Sequence, residues 1–91
     1  MVRTVEIRIY GKVFNVGFRR YVHRYAIENR INGFVENDLE SGSVHIVAEG
    51  EADNLDNFVA LCAHGTPYSI VTKVEMHERG SRHFDGFAQM R

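Results

Sequence analysis

Residues 5–30 read Val5-Glu6-Ile7-Arg8-Ile9-Tyr10-Gly11-Lys12-Val13-Phe14-Asn15-Val16-Gly17-Phe18-Arg19-Arg20-Tyr21-Val22-His23-Arg24-Tyr25-Ala26-Ile27-Glu28-Asn29-Arg30. The hydrophobic period changes once within this stretch. Val5, Ile7 and Ile9 alternate with Glu6, Arg8 and Tyr10, the pattern of a strand with one buried face, and Gly11 is expected to end it. Phe18, Val22, Tyr25 and Ala26 then fall at i, i+4, i+7 and i+8, which predicts an amphipathic helix over 18–30. Asn32-Gly33 is expected to stop that helix as a C-cap.

The rest of the chain extends the same alternation. Phe34-Val35-Glu36-Asn37, a polar turn through Asp38, Glu40, Ser41 and Gly42, and the alternating Val44, Ile46 and Ala48 predict a hairpin. Leu55, Phe58, Val59 and Cys62 follow i, i+3, i+4, i+7, with Asp53 and Asp56 suited to a helix N-terminus. Gly65-Thr66-Pro67 ends this second helix. Ile70, Thr72, Val74 and Met76 predict a fourth strand, and residues 84–90 a short fifth. The order strand, helix, strand, strand, helix, strand is the ferredoxin-like split βαβ plan. It is an α+β sandwich in which an antiparallel sheet of four to five strands carries two helices on one face.

Ninety-one residues leave room for one domain, 1–91. Apolar residues are 44% and charged residues 25%, the balance of a folded chain. No apolar run is long enough to span a bilayer, the first residues are no secretory signal, and the single Cys62 has no internal partner; a cytoplasmic location is expected. The net charge is −1, yet residues 1–30 carry seven basic and two acidic side chains, whereas residues 31–91 carry four basic and ten acidic. A positive field around the first third would attract a small anion; solvated faces would give the same count.

The segment Gly11–Arg19 joins the first strand to the first helix. Amides at a helix start have no intrahelical acceptor, and the helix dipole there favours an anion. Gly11 and Gly17 let the chain curl, and Asn15 tolerates positive φ. Arg19 falls in the first helical turn, where its planar fork can clamp two oxygens of one phosphate. The spacing alone is shared by plain glycine-containing loops with a surface arginine.

A second segment adds to it. Gly11–Arg19 reads G-K-V-F-N-V-G-F-R, and Gly33–Gly50 reads G-F-V-E-N-D-L-E-S-G-S-V-H-I-V-A-E-G. Together they resemble the acylphosphatase family, whose motifs are G-x-V-Q-G-V-x-F-R and G-[aromatic]-V-x-N-x₃-G-x-V-x₅-G. The likeness extends to Gly65-Thr66-Pro67 and Val71–Glu75, and so covers nearly the whole chain. The N-terminal acylphosphatase-like domain of hydrogenase-maturation carbamoyltransferases is similar too. Phe14 stands where the family has Gln, Asn15 where it has Gly, and the turn after Asn37 is one residue longer. Residues 87–91 only approximate the family's closing strand.

The resemblance implies metal-independent hydrolysis of acyl phosphates to carboxylate and phosphate. Arg19 and the backbone amides of Phe14, Asn15, Val16, Gly17 and Phe18 would hold the phosphoryl group, and Asn37 would orient the attacking water. It implies no cofactor and no metal, a small-molecule acyl phosphate as partner, and a monomer that engages neither nucleic acid nor membrane. A phosphate-binding module without turnover is the alternative, and RNA binding, which this fold also hosts, ranks last for want of basic charge and an aromatic RNA-binding segment.

Other residues read as structural. His23, one turn after Arg19, is expected to be a surface or half-buried helix residue. His45, His64, His77 and His83 are scattered over different elements, and Arg20 and Arg24 read as solvated helix charges. The phenylalanines are core candidates except Phe14, expected at the pocket rim. Cys62 reads as a small hydrophobe.

Overall fold

Strand β1 (Val2–Lys12) leads through a short loop into helix α1 (Phe18–Glu28). The hairpin β2 (Asn32–Asp38) and β3 (Ser43–Glu51) follows, then α2 (Ala52–His64), β4 (Ile70–Arg79) and β5 (Phe87–Gln89). The computed structural model describes residues 1–90; Arg91, at the end of the expected closing strand, lies outside them. The strands form one sheet in the order β4-β1-β3-β2-β5. Every pairing is antiparallel except β2 with β5, which is parallel. The sheet is therefore mixed at one edge, and the ferredoxin-like plan holds.

The core lies between the sheet and the two helices. Val5, Ile7 and Ile9 of β1, Val35 of β2, and Val44, Ile46 and Ala48 of β3 meet Phe18, Val22 and Ala26 of α1 and Leu55, Phe58 and Cys62 of α2. All are buried, so the period-2 and period-3.6 stripes face one another. The Tyr21 hydroxyl donates to the Leu61 carbonyl at 2.7 Å and ties one helix to the other.

Three boundaries and the register of β4 differ from expectation. β1 does not end at Gly11 but continues to Lys12. α1 stops at Glu28, before Asn32-Gly33, because Arg30 takes a left-handed conformation (φ 56°). The Ile31 N–H then reaches the Ala26 carbonyl (2.8 Å) and the Arg30 N–H the Ile27 carbonyl (3.2 Å). That is a Schellman closure with arginine in the usual glycine place, and it frees Asn32 and Gly33 to start β2. In β4 the register steps from Tyr10↔Lys73 to Gly11↔Val71, so Thr72 is an extra residue. The bulge reverses the alternation: Val71 packs on the core while Ile70 is exposed. β5 spans only Phe87–Gln89.

β3 is buried on both sides from Ser43 to Glu49, more than its alternation predicts. Its far side is covered by polar partners and by the strap leading to β5. His45 sits between Glu36 (Nδ1, 2.8 Å) and Glu6 (Nε2, 2.7 Å), while Phe34 meets its ring edge-on and Phe84 meets Phe34, both outside the core. Glu49 accepts from the Thr4 hydroxyl (2.6 Å), the Ser81 hydroxyl (2.9 Å) and the Arg82 N–H (3.0 Å). These donors, Thr4 foremost, hold its carboxyl at about 2 against an ordinary 4.5.

A carboxylate depressed in the folded state contributes stability above its unfolded value and loses it as pH falls toward its folded value. The urea midpoint should therefore drop as pH is lowered from about 5 toward 2. Thr4→Val should cost about 1–3 kcal/mol at pH 7, typical of hydrogen bonds to charged groups, and progressively less as Glu49 protonates. Equal losses at pH 7 and pH 2.5 would contradict the assignment.

Candidate functional site

Gly11 sets the entry to the β1–α1 loop. Its φ is 127°, and a Cβ there would lie 2.0 Å from the Ile70 carbonyl oxygen, so any larger residue would push β4 away at the bulge. Val13 is buried and anchors the next step. The chain then bends through residues 14–17, with Asn15 (φ 59°) and Gly17 (φ 74°) both left-handed. Gly17 is the N-cap of α1 and supplies no side-chain acceptor to the first turn. The amides of Phe14, Asn15, Val16, Gly17 and Phe18 accordingly have no acceptor among the described residues. The Val16 carbonyl is drawn the other way, accepting from the Thr66 hydroxyl at 3.3 Å. Thr66 in turn belongs to a turn closed by Ser69.

Asn37 reaches the same place from the sheet. It lies two residues after the buried Val35, hence on the helix-facing side. It pairs with Val44, which pairs with Ile9, near the end of the sheet from which the loop departs. A hollow of about 210 Å³ results, lined by Asn15, Gly17, Phe18 and Arg19 on one side and Asn37 on the other. Val13, Arg20 and Gln89 complete its wall. Liquid water takes about 30 Å³ per molecule, so a tetrahedral anion and one water fit side by side.

Five of the seven residues singled out by sequence thus border one cavity. Phe14 and Val16 do not; they border a broader depression on the loop's opposite side. Arg20, read from the sequence as a solvated helix charge, borders the hollow instead, and Gln89 escaped the sequence reading. Gln89 reaches the hollow only because β5 lies parallel beside β2, with Gln89 opposite Val35, a pairing no local pattern announces. His23 does not line the hollow; it is half-buried near Phe87, at 6.1 Å between ring centroids.

Charge is concentrated at this end. Arg3 pairs with Glu78 and Asp56, Arg8 with Asp38, Arg24 with Glu28 and Arg79 with Glu6. The Arg8 guanidinium, with the Ser41 N–H and hydroxyl, holds the Asp38 carboxyl below its ordinary value. Lys12, Arg19 and Arg20 have no carboxylate partner among the described residues; Arg19 Nη1 donates to the Met90 carbonyl at 2.6 Å, and that bond fixes the fork beside the loop. Much of the uneven charge of the sequence thus resolves into ion pairs away from the loop, while Lys12, Arg19 and Arg20 place unpaired cations around it.

Fold and site together define a class: an α+β sandwich whose first strand–helix loop and second strand enclose a small basic hollow. The acylphosphatase family model matches residues 5–89, and the chain belongs to that family. It is 40% identical over 78 residues to an acylphosphatase of Mannheimia succiniciproducens, covering 86% of each chain. The crystal structure of an acylphosphatase from Bacillus subtilis superposes over the full length of both chains with a TM-score of 0.92 at 33% identity. A segment of full-length HypF, solved in a phosphate- and nucleotide-bound form, matches with a TM-score of 0.92 at 25% identity; it covers all of this chain and 12% of that one.

Proposed function

We propose that the chain hydrolyses acyl phosphates to carboxylate and inorganic phosphate, as its family name implies, with the phosphoryl group seated in the hollow beside Arg19. One observation carries this reading. Arg19, the left-handed turn of Asn15 and Gly17 with its uncommitted amides, and Asn37 border a single cavity sized for the anion and a water.

The chemistry asks little more of the protein. Water attacks phosphorus as the bond from phosphorus to the acyl oxygen breaks, and that electron pair leaves on a carboxylate. The leaving group is a weak base, so no general acid is needed, and the water's proton passes to a phosphoryl oxygen. What remains is in-line positioning and neutralisation of the equatorial oxygens. The guanidinium of Arg19 and the amides of Asn15, Gly17 and Phe18, which border the hollow, supply the positive charge that a metal ion supplies in other phosphoryl-transfer sites. Asn37, which accepts through its carbonyl and donates through its amide, orients the water rather than deprotonating it.

The reading treats residues 1–91 as one domain, a monomer in the cytoplasm acting on a diffusible small molecule; its one cysteine, Cys62, is buried and unpaired. Phosphate release from acetyl phosphate or benzoyl phosphate, with a chelator present, tests it. The expected result is turnover well above the spontaneous rate and unchanged by the chelator. No release above background would leave a binding module, and restoration only by added divalent metal would overturn the metal-free mechanism.

A further inference from the structure

Asn15, Gly17 and Phe18 border the hollow, and their amides have no acceptor among the described residues. An amide stabilises an anion best when it is aimed before the anion arrives. In a trans peptide the C=O and the following N–H share one plane and point in opposite directions, and no peptide bond here is cis. Whatever grips a carbonyl therefore aims the next amide. The Gly17 carbonyl accepts from the Tyr21 N–H at 3.0 Å, so helix α1 itself aims the Phe18 amide. The Gly17 amide lies one peptide earlier, outside the helical ladder, and a glycine at φ 74° adds little stiffness of its own. Its aim depends on the Val16 carbonyl.

That carbonyl is held from outside the loop. The Thr66 hydroxyl, in the α2–β4 turn, donates to it at 3.3 Å. Among the described residues no other side chain hydrogen-bonds the main chain of residues 14–17. Thr66 is itself locked in its turn. Its N–H donates to Ser69 Oγ (2.8 Å), and its carbonyl accepts from the Ser69 N–H (3.1 Å) and hydroxyl (3.0 Å). Its Oγ1 also accepts from the Tyr68 N–H at 3.2 Å, which leaves the hydroxyl proton for Val16. Val16 and Thr66 share a surface groove that includes neither Arg19 nor Asn37, and neither of the two borders the hollow. The pull on the carbonyl is away from the hollow.

Resting on the hydrolase reading of the hollow, we propose that Thr66 is a positioning residue: by drawing the Val16 carbonyl outward it aims the Gly17 amide at the phosphoryl group. Thr66 touches no reacting atom. It acts through one peptide plane, and the α2–β4 turn thereby sets the strength of one donor in the phosphoryl site.

The test measures the dissociation constant for inorganic phosphate and kcat/KM for acetyl phosphate in the wild type, Thr66→Val, Thr66→Ala and Thr66→Ser. Valine keeps the shape of threonine without the hydroxyl, alanine does so in a turn too tight for valine, and serine keeps the hydroxyl. Removing a preorganised donor outright costs about 10²–10³ in rate, and loosening one costs less. Thr66→Val and Thr66→Ala should therefore lower kcat/KM and weaken phosphate binding by roughly tenfold, with Thr66→Ser within about threefold of the wild type. In ¹⁵N amide spectra the shift induced at Gly17 by saturating phosphate should shrink in both hydroxyl-free variants, while that at Phe18 persists. A role confined to bracing the turn would lower the urea midpoint and leave phosphate affinity and kcat/KM of the folded protein unmoved. That result would overturn the proposal, as would a serine variant as weak as the valine one, or equal losses at Gly17 and Phe18. Phosphate binding that depends on Thr66 as described, in a wild type without turnover, would instead sink the hydrolase reading and keep the positioning role.

Discussion

Arg19→Ala is expected to lower kcat/KM for an acyl phosphate by about 10³-fold or more and to abolish competitive inhibition by inorganic phosphate. The reason is geometric as much as electrostatic. The guanidinium borders the hollow, and one of its donors is already committed to the Met90 carbonyl at 2.6 Å, so the fork is oriented before substrate arrives. Preorganised charge of this kind does not reorganise during the reaction; removing one such donor costs about 10²–10³ in rate, and a phosphoryl-transfer arginine costs about 10³–10⁵. Because the same contact would hold substrate and product phosphate, binding and turnover should fail together. Arg19→Lys should recover only part of the loss, since a point charge replaces a planar fork. Steady-state kinetics with a phosphate inhibition series decide the matter: inhibition that survives in Arg19→Ala would contradict the role given to Arg19.

Asn37→Ala is expected to lower kcat by about 10²-fold while the inhibition constant for phosphate moves by no more than about twofold. Asn37 enters the hollow from β2, opposite the loop that contributes Asn15, Gly17 and Arg19. It therefore borders the hollow across from the loop, on the side from which a nucleophile would approach a phosphoryl group held by that loop. Losing the orienter lowers the fraction of complexes in attacking geometry without removing charge from the anion. A loss of phosphate affinity as large as that of Arg19→Ala would show that the two residues are not divided between water and phosphoryl group in this way.

Much of the fold was legible because the buried stripes are regular. Val5, Ile7 and Ile9, and Leu55, Phe58 and Cys62, name their elements from spacing alone, and the structure buries all six. What escaped depends on contacts across the sheet or on unusual local conformations. Arg30 adopts a left-handed conformation in the place glycine usually fills, so α1 ends two residues earlier than its spacing predicts. The bulge at Thr72 is visible only against the register of β1. The burial of His45 and Glu49 follows from the strap and the central place of β3, which a hairpin pattern does not contain. The site divides in the same way. Arg19 and Asn37 stood out because a loop motif and a strand motif occur in fixed order. Arg20 and Gln89 join them only through α1 and β5, and Phe14, just before the left-handed Asn15, lines the other side of the loop.

All of these roles depend on the main chain between Phe14 and Phe18 taking up a phosphate anion. The direct measurement is a titration of ¹⁵N-labelled protein with inorganic phosphate, followed residue by residue in amide spectra. The expected result is saturable shifts concentrated at the backbone amides of residues 14–19 and the side-chain amide of Asn37, lost in Arg19→Ala. Shifts centred on any other part of the surface, or none at phosphate concentrations that inhibit turnover, would contradict it.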